Sequence, residues 1–162
     1  MRVWRYGDDI DTDMLFPGMY AHTCATIEEI RPHLLEGLDP TFAAEVRVGD
    51  FLFVGCNFGC GSSREQPALG LRAVGVAAVV GESFSRSFFR AAINQGLLLI
   101  ECPQAVDCYE EGMEVRLHLA QGEIEVGGAR FGFPALPPEI LAIHAAGGLL
   151  EYARAWLATR GA

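Results

Sequence analysis

Three short apolar runs in the middle of the chain, separated by stretches with helical spacing, predict a parallel sheet. The runs occupy residues 51–55, 76–80 and 97–100 and are uninterrupted, as expected for strands buried on both faces. The spacing of apolar residues predicts one helix over 64–74 and a second helix that follows Ser83 as its cap. Strand–helix–strand–helix–strand is the order of parallel β-α-β units, so the predicted fold class is α/β.

The first fifty residues predict shorter elements. Residues 1–6 suggest a strand and 7–19 a loop, whereas Thr26 and Glu29 have the spacing of a capping box at the start of a helix. The pair Asp39-Pro40 predicts the N-cap and first position of another short helix.

The last third of the chain predicts a small antiparallel unit and two final helices. Apolar residues alternate from Val115 to Val126 around Gly122, which indicates a hairpin. Helices are expected over 137–146 and 149–158. The chain shows no internal repeat or long linker, so residues 1–162 are predicted to form a single domain.

The charge balance narrows the chemistry that this chain can perform. Acidic residues number 21 and basic residues 12, which gives a net charge of −9, and every basic residue is arginine. The absence of lysine excludes a P-loop lysine, a Schiff-base lysine and a Ser–Lys dyad. The acidic balance argues against nucleic-acid binding, because affinity for phosphates depends on basic side chains. An anionic ligand must therefore be met by a few arginines, helix N-termini or backbone amides.

The five cysteines are expected to be reduced thiols in a cytoplasmic protein. Their number is odd and no pair has the CxxC spacing of a zinc or redox site. The chain begins without a signal-peptide pattern, and no apolar run is long enough to span a membrane, so we expect no membrane association.

The segment GCNFGCGSSREQ at 55–66 holds the richest candidate chemistry. Gly59 and Gly61 are expected to leave room for a ligand, and Ser62 and Ser63 are predicted at or beside a helix N-terminus, which favours negative charge. Arg64 offers a permanently charged fork for a carboxylate. The structural alternative is a helix-capping serine beside a solvated arginine. It explains one serine but not two glycines, two serines and an arginine together. The GxSxG spacing is absent, which makes a hydrolase a weak interpretation.

Two other segments add charged residues. The four aspartates between positions 8 and 13 lack the glycine and distal glutamate of a calcium loop, so most of them are expected to close turns. In the segment 82–96, Arg86 and Arg90 are four residues apart and share one helix face. We expect Arg90 to be solvated, and Arg86, nearer the helix N-terminus, to face a site.

Together these segments resemble the small subunits of the isopropylmalate isomerase group in the aconitase superfamily. The resemblance extends from Trp4 to about Trp156. The motifs that carry it are GDDIDTD with Pro17-Gly18 and Tyr20, NFGCGSSRE at 57–65, and ESFSRSFFR with INQG at 82–96. It implies a swivelling β/β/α domain like the fourth domain of aconitase, with a parallel β-α-β core and an added β-hairpin.

The resemblance also implies a reaction and a partner. The expected reaction is reversible dehydration of a hydroxy dicarboxylate, interconverting 2- and 3-isopropylmalate in leucine biosynthesis. A large subunit is expected to carry a 4Fe–4S cluster whose iron acts as Lewis acid, in a heterodimer or heterotetramer, and this chain is expected to hold no metal.

The resemblance assigns roles to residues of all three segments. Ser62 is the expected base, acting as an alkoxide, and Ser63 lends a hydrogen bond. Arg64 binds a substrate carboxylate or stabilises the alkoxide, and Asp13 orients the site or joins its proton network.

Substrate choice is expected to depend on the loop after Tyr20, where His22 stands. Tyr20, His22 and Arg86 are the further candidate substrate contacts. Isopropylmalate is favoured because this loop contains no arginine for an extra carboxylate. Homoaconitate, citramalate and dimethylmalate are the alternative substrates, and a non-catalytic anion-binding module of the same fold is the alternative of another class.

Overall fold

The computed structural model describes residues 1–160 and contains two sheets. The four-stranded sheet comprises β1 (Val3–Arg5), β2 (Phe51–Val54), β3 (Ala78–Gly81) and β4 (Leu99–Glu101). Its strands lie in the order β1-β2-β3-β4 and are all parallel. The other sheet is an antiparallel meander of β5 (Val115–His118), β6 (Glu123–Val126) and β7 (Ala129–Gly132). The predicted α/β class with a parallel core is therefore confirmed.

Helices fill the connections between the strands. In chain order they are α1 (Thr12–Leu15), α2 (Ile27–Ile30), α3 (Phe42–Glu45), α4 (Gln66–Ala73), α5 (Arg86–Gln95), α6 (Pro103–Cys108), α7 (Pro138–Ala146) and α8 (Leu149–Arg160). Two 3₁₀ turns, Gly18–Tyr20 and Arg31–His33, accompany them. Within residues 1–160, no helix combines the length and the apolar character needed to cross a membrane.

The parallel sheet is covered on both faces, which explains its uninterrupted apolar strands. All residues of β2 and β3 are buried. Leu52 and Val79 belong to one core cluster, together with Leu71 of α4 and Phe88 of α5. Alternate strand residues belong to a second cluster, which includes α6 and the inner face of the antiparallel sheet. The antiparallel unit thus serves as the second covering layer.

The helix start after β3 lies two residues beyond the predicted one. Ser85 caps α5, accepting the Phe88 N–H at 3.2 Å, so the prediction of Ser83 as the cap is wrong. The Ser83 hydroxyl instead accepts the backbone N–H of Asn57 at 2.8 Å, a partner from the loop after β2. A contact distant in sequence therefore decides which serine is free to cap.

Asp39 is likewise not an N-cap. Its carboxylate accepts hydrogen bonds from both the backbone N–H (3.1 Å) and the hydroxyl (2.7 Å) of Thr41, and α3 begins only after Thr41. Elsewhere the predicted capping box of Thr26 and Glu29 is confirmed, as is the hairpin around Gly122. Helices α1 and α6 and strand β7 are additions that the hydrophobic pattern did not predict.

Asp50 organises the amino edge of the parallel sheet. It is 1% exposed, and its carboxylate accepts the backbone N–H groups of Arg2 (2.7 Å) and Arg47 (3.0 Å) and the indole Nε1–H of Trp4 (3.2 Å). The Trp4 ring packs edge-on against Phe42, with ring centroids 4.9 Å apart. These contacts fasten β1, an edge strand of three residues, to the turn that precedes β2.

Replacement of this carboxylate is expected to destabilise the fold. Asp50→Ala leaves the buried indole N–H of Trp4 and the partly buried backbone N–H groups of Arg2 and Arg47 without this acceptor, and we expect a loss of about 2–4 kcal/mol in the free energy of unfolding. Urea denaturation measures it. The control is Asp107→Ala on the exposed surface of α6, for which we expect a change below about 0.5 kcal/mol. Equal effects of the two substitutions would contradict the role of Asp50.

Candidate active site

The three motif segments meet at the carboxyl edge of the parallel sheet. Residues 56–65, here called the serine loop, follow β2 and lie between the segment after β1 and the segment after β3. On one side, Thr12 N–H donates to Cys60 O and Gly59 N–H to Ile10 O, each at 2.8 Å. On the other side, Phe58 exchanges backbone hydrogen bonds with residues 83 and 85. The serine loop is therefore fixed from both sides by backbone contacts.

Two glycines allow this close packing. Gly59 has φ +74°, and a Cβ there would lie 2.2 Å from Cγ of Phe88. Gly61 has φ +90°, and a Cβ would lie 3.3 Å from Oγ1 of Thr12. The ring of Phe88 occupies the space beside Gly59, whereas Gly61 is exposed, and the loop needs positive φ at both positions. The approach of a ligand to this loop stays a prediction.

A buried hydroxyl of Thr12 links two candidate site residues. Thr12 is 2% exposed, and its Oγ1 accepts the backbone N–H of Ser62 (3.1 Å) and the Nη2 of Arg64 (3.3 Å). A hydroxyl oxygen has two lone pairs, so one side chain satisfies both donors. Sequence reasoning missed this role, and the only available signal was the position of Thr12 beside Asp13.

Arg64 and Asp13, predicted separately, form an ion pair. Arg64 Nη2 lies 2.9 Å from Asp13 Oδ1, and the same oxygen accepts the Gly18 backbone N–H at 2.8 Å. Both contacts hold the pKa of Asp13 below its ordinary value, the hydrogen bond from Arg64 more strongly. A Cβ at residue 18 would lie 2.7 Å from Arg64 Nη1 and 2.8 Å from Asp13 Oδ1, so a larger residue there would displace the ion pair.

Ser62 and Ser63 are exposed, and neither hydroxyl has a hydrogen-bond partner among residues 1–160. Helix α4 begins at Gln66 with Glu65 as N-cap, so the two serines lie two and three residues before the cap, beside the helix N-terminus and not at it. The cause is the turn before the helix, where Ser62 N–H binds Thr12 and Arg64 N–H donates to Ser62 O at 3.1 Å. Because the helix dipole acts mainly within the first turn, the positive group tied to Ser62 by a shared contact is Arg64, whose Nη2 donates to the same Thr12 oxygen as the Ser62 N–H.

The turn with Tyr20 and His22 borders the serine loop. The Tyr20 ring stacks on His33 with centroids 3.7 Å apart, and Gln66 Nε2 donates to the Ala21 carbonyl at 3.1 Å. His22 is exposed and lines a groove shared with Ser63 and Arg64. Thus His22 reaches the candidate site, whereas the ring of Tyr20 packs against the protein. Gln66 is a positioning residue that sequence reasoning missed.

Arg86 lies in a second groove, on the other side of residues 63–65. Ser63, Arg86 and Arg90 line this groove together, so the structure brings Arg86 near Ser63. Arg86 is the first residue of α5, directly after its cap. Within residues 1–160, neither Arg86 nor Arg90 has an ion-pair partner.

The cysteines do not form an iron–sulfur site among the described residues. Within 1–160, the only group of three or more potential metal ligands is Asp8, Cys56 and Glu82, which contains a single thiol. A 4Fe–4S cluster is bound by several cysteine thiolates, so this donor set does not fit it. A hydrogen bond to Glu82 raises the pKa of Cys56, and burial raises that of Cys60, which favours protonated thiols at both positions.

Comparison with known proteins places these features in a family. Residues 9–105 match the aconitase C-terminal domain. Over 155 residues the chain is 44% identical to the 3-isopropylmalate dehydratase small subunit of Heliobacterium modesticaldum, covering 94% of this chain and 93% of that protein. It is 42% identical to the methanogen homoaconitase small subunit of Methanothermobacter thermautotrophicus, covering 93% and 88%.

A solved structure agrees with both matches. The crystal structure of 3-isopropylmalate dehydratase from Methanocaldococcus jannaschii superimposes with a TM-score of 0.90 at 34% identity, over 99% of this chain and 95% of that one. The chain belongs to the aconitase C-terminal domain family. Within that family, the two sequence relatives just described are small subunits of hydro-lyases.

The Arg64–Asp13 pair predicts a measurable change in acid titration. In Arg64→Gln we expect the pKa of Asp13 to rise towards its ordinary value of about 4, since the stronger of its two donors loses its charge. A lowered pKa in the folded state stabilises the fold above the pKa of the unfolded chain, and this stability is lost as pH falls through the folded-state pKa. In the variant, this contribution should therefore be smaller, and its loss should be complete at a higher pH.

Carboxyl ¹³C NMR titration of both proteins measures this effect. Glu29 is the internal control, because backbone hydrogen bonds from Thr26 and Ala25 lower its pKa without any contribution from Arg64. An unchanged Asp13 titration in the variant would show that the ion pair does not form in solution.

Proposed function

We propose that this chain is the small subunit of a two-subunit hydro-lyase that interconverts 2-isopropylmalate and 3-isopropylmalate. The observation that carries the proposal is the fixed arrangement of Ser62 and Arg64 around the Thr12 hydroxyl, in a chain of the aconitase C-terminal domain family. This arrangement leaves a free serine hydroxyl beside a guanidinium group that is itself held in place.

Ser62 acts as the base of the reaction. In the dehydration half-reaction the Ser62 alkoxide takes the C–H proton and becomes a hydroxyl, while the hydroxyl on the neighbouring carbon departs as hydroxide. Return of that proton from Ser62 to the hydroxide gives water and the alkene and restores the alkoxide. Addition of water to the alkene in the opposite orientation gives the isomer. A serine hydroxyl ionises far too weakly in water for this role, and a fixed neighbouring cation stabilises the alkoxide.

Arg64 holds a substrate carboxylate. Its side chain is 14% exposed and is oriented by Asp13 and Thr12, while its Nη1 and Nε groups lack hydrogen-bond partners among the described residues. The unused Nη1 group suits a charge-assisted hydrogen bond to a carboxylate, because Nη2 already contacts Thr12 and Asp13 and Nε is buried. Ser63 contributes a hydrogen bond from the same loop. Arg86 of α5 adds a second positive charge to the side of the site that binds the anionic substrate.

The other wall of the site belongs to a large subunit. The chain offers no cluster ligands among its described residues, and the names of its relatives as small subunits support a partner of this kind. We place the 4Fe–4S cluster on that large subunit. The five free thiols of this chain support a cytoplasmic location.

The groove beside His22 supports an alkyl-bearing substrate. Apart from His22 and the polar end of the groove at residues 63–66, its lining consists of small or apolar side chains, namely Ala21, Cys24, Ala25, Ile30 and Leu69. Such a surface accommodates an isopropyl group by burial of apolar area. The second candidate is homoaconitate hydration. It is favoured by the exposure of His22, which when protonated is able to pair with an extra carboxylate.

Removal of the Ser62 hydroxyl tests the assignment of the base. In the reconstituted two-subunit enzyme, Ser62→Ala should lower kcat by about 10³-fold or more while assembly is unchanged, because the proton acceptor is lost. Ser63→Ala, a change of the same size in the next residue, should cost much less. Steady-state kinetics with isopropylmalate and analytical ultracentrifugation measure the two properties. Near-normal turnover by Ser62→Ala would exclude Ser62 as the base.

Substrate choice is tested at His22. His22→Arg should raise kcat/KM for homoaconitate relative to isopropylmalate by about tenfold or more, because a guanidinium group in the groove pairs with the additional carboxylate. Thr23→Arg is the matched control, since it places the same charge one residue further along the exposed turn. An equal shift of the ratio in both variants would mean that charge near the site, and not position 22, sets the preference.

A further inference from the structure

The face around the serine loop carries exposed apolar side chains on one side and unpaired arginines on the other. Met19 is 75% exposed in the Gly18–Tyr20 turn, and Met14 is 40% exposed beside Asp13. Beyond residues 63–65, Arg86 and Arg90 are exposed along α5. We call Met14, Met19, Arg86 and Arg90 the rim of the site.

Local electrostatics do not explain the two arginines of the rim. They stand at the first and fifth positions of α5, near the helix N-terminus, where the dipole disfavours positive charge. They are also four residues apart on one face, so the two cations repel each other. Five other arginines contact carboxylates, namely Arg2, Arg64, Arg116, Arg130 and Arg154. Arg31, Arg47 and Arg72 also lack an ion pair among the described residues, but only Arg86 and Arg90 line a groove together with Ser63. In a chain of net charge −9, two adjacent arginines at this position suit an anionic group from outside.

A small substrate accounts for Arg86 but not for Arg90. Arg86 borders Ser63, whereas Arg90 lies one helical turn, about 5.4 Å, further along α5. A substrate carboxylate bound at Arg64 and Arg86 leaves Arg90 without a partner. The anionic group that matches Arg90 is therefore part of a larger molecule at the edge of the site.

The apolar half of the rim points to the same kind of molecule. Methionine and arginine are both enriched in protein interfaces, and a flexible thioether adapts to an apolar partner surface. Met19 follows Gly18, whose N–H holds Asp13, so a partner that covers Met19 also closes over the Arg64–Asp13 pair. Basic and apolar contacts on opposite sides of Ser62 fit a docking surface centred on the site.

We propose that the rim docks on the large subunit, with Arg90 facing carboxylates of that subunit and Met19 facing an apolar surface. This inference rests on the proposed function, which supplies the existence of a large subunit. It adds the residues that hold the two subunits together. Arg90 is a docking residue and takes no part in the chemistry.

The test measures assembly of the full-length chain with the large subunit encoded in the same genome. Arg90→Glu and Met19→Glu are compared with Arg47→Glu and Val48→Glu, which likewise replace an arginine and an apolar residue by glutamate, at exposed positions before β2 at the opposite edge of the sheet. Thermal unfolding of each isolated variant confirms that it folds. Kd is measured by biolayer interferometry at 50 mM and 500 mM NaCl.

We expect Arg90→Glu and Met19→Glu to weaken assembly by about tenfold or more and the controls to change Kd by less than about twofold. The effect of Arg90→Glu should shrink at high salt, whereas that of Met19→Glu should persist. If the wild-type chain binds the large subunit and neither rim variant changes Kd, or the control variants change Kd equally, the docking surface is wrong. The proposed function is then unaffected. Failure of the wild-type chain to bind the large subunit overturns both.

Discussion

The hydroxyl of Thr12 is the contact on which the geometry of the site depends. It joins the segment after β1 to the serine loop, across 50 residues of sequence, and it does so from a buried position. Because the same oxygen accepts from the Ser62 backbone and from Arg64, it positions the candidate serine and the guanidinium group relative to each other. Removing a buried acceptor leaves its donors unsatisfied, at a cost of about 1–3 kcal/mol. The backbone contacts around the loop and the Asp13–Gly18 contact then restrict what remains.

The parallel sheet explains why these segments meet at all. Strands β1, β2 and β3 are neighbours that run in the same direction, so the chain leaves all three at the same edge. Open parallel sheets bind ligands at this edge for the same reason. Burial of both faces fixes the strand register, because helices and the antiparallel sheet each require their own set of alternate side chains. The packing of the two sheet faces thus fixes the positions of the loops that form the site, although Ser62 itself is exposed.

Sequence patterns predicted the parts of this structure that depend on local or periodic signals. The apolar runs marked β2, β3 and β4 to within about two residues, and the resemblance selected Ser62, Arg64 and Asp13, of which the last two are indeed in contact. Roles that depend on a distant partner were missed. Thr12 and Gln66 act through residues 50 and 45 positions away, and the choice between Ser83 and Ser85 as cap depends on Asn57. No spacing rule along one segment contains that information.

The edge position of β1 has a consequence for how the protein loses activity. β1 pairs with β2 alone, over three residues, yet the chain that follows it carries Thr12 and Asp13. Local openings of edge elements occur at lower free energy than global unfolding. Detachment of β1 would disperse the site while β2, β3 and β4 remained paired, so inactivation would precede unfolding on heating or in denaturant. The buried carboxylate of Asp50, at the opposite edge of the sheet, holds Arg2 and Trp4 and so opposes the detachment of β1, although it does not contact the site.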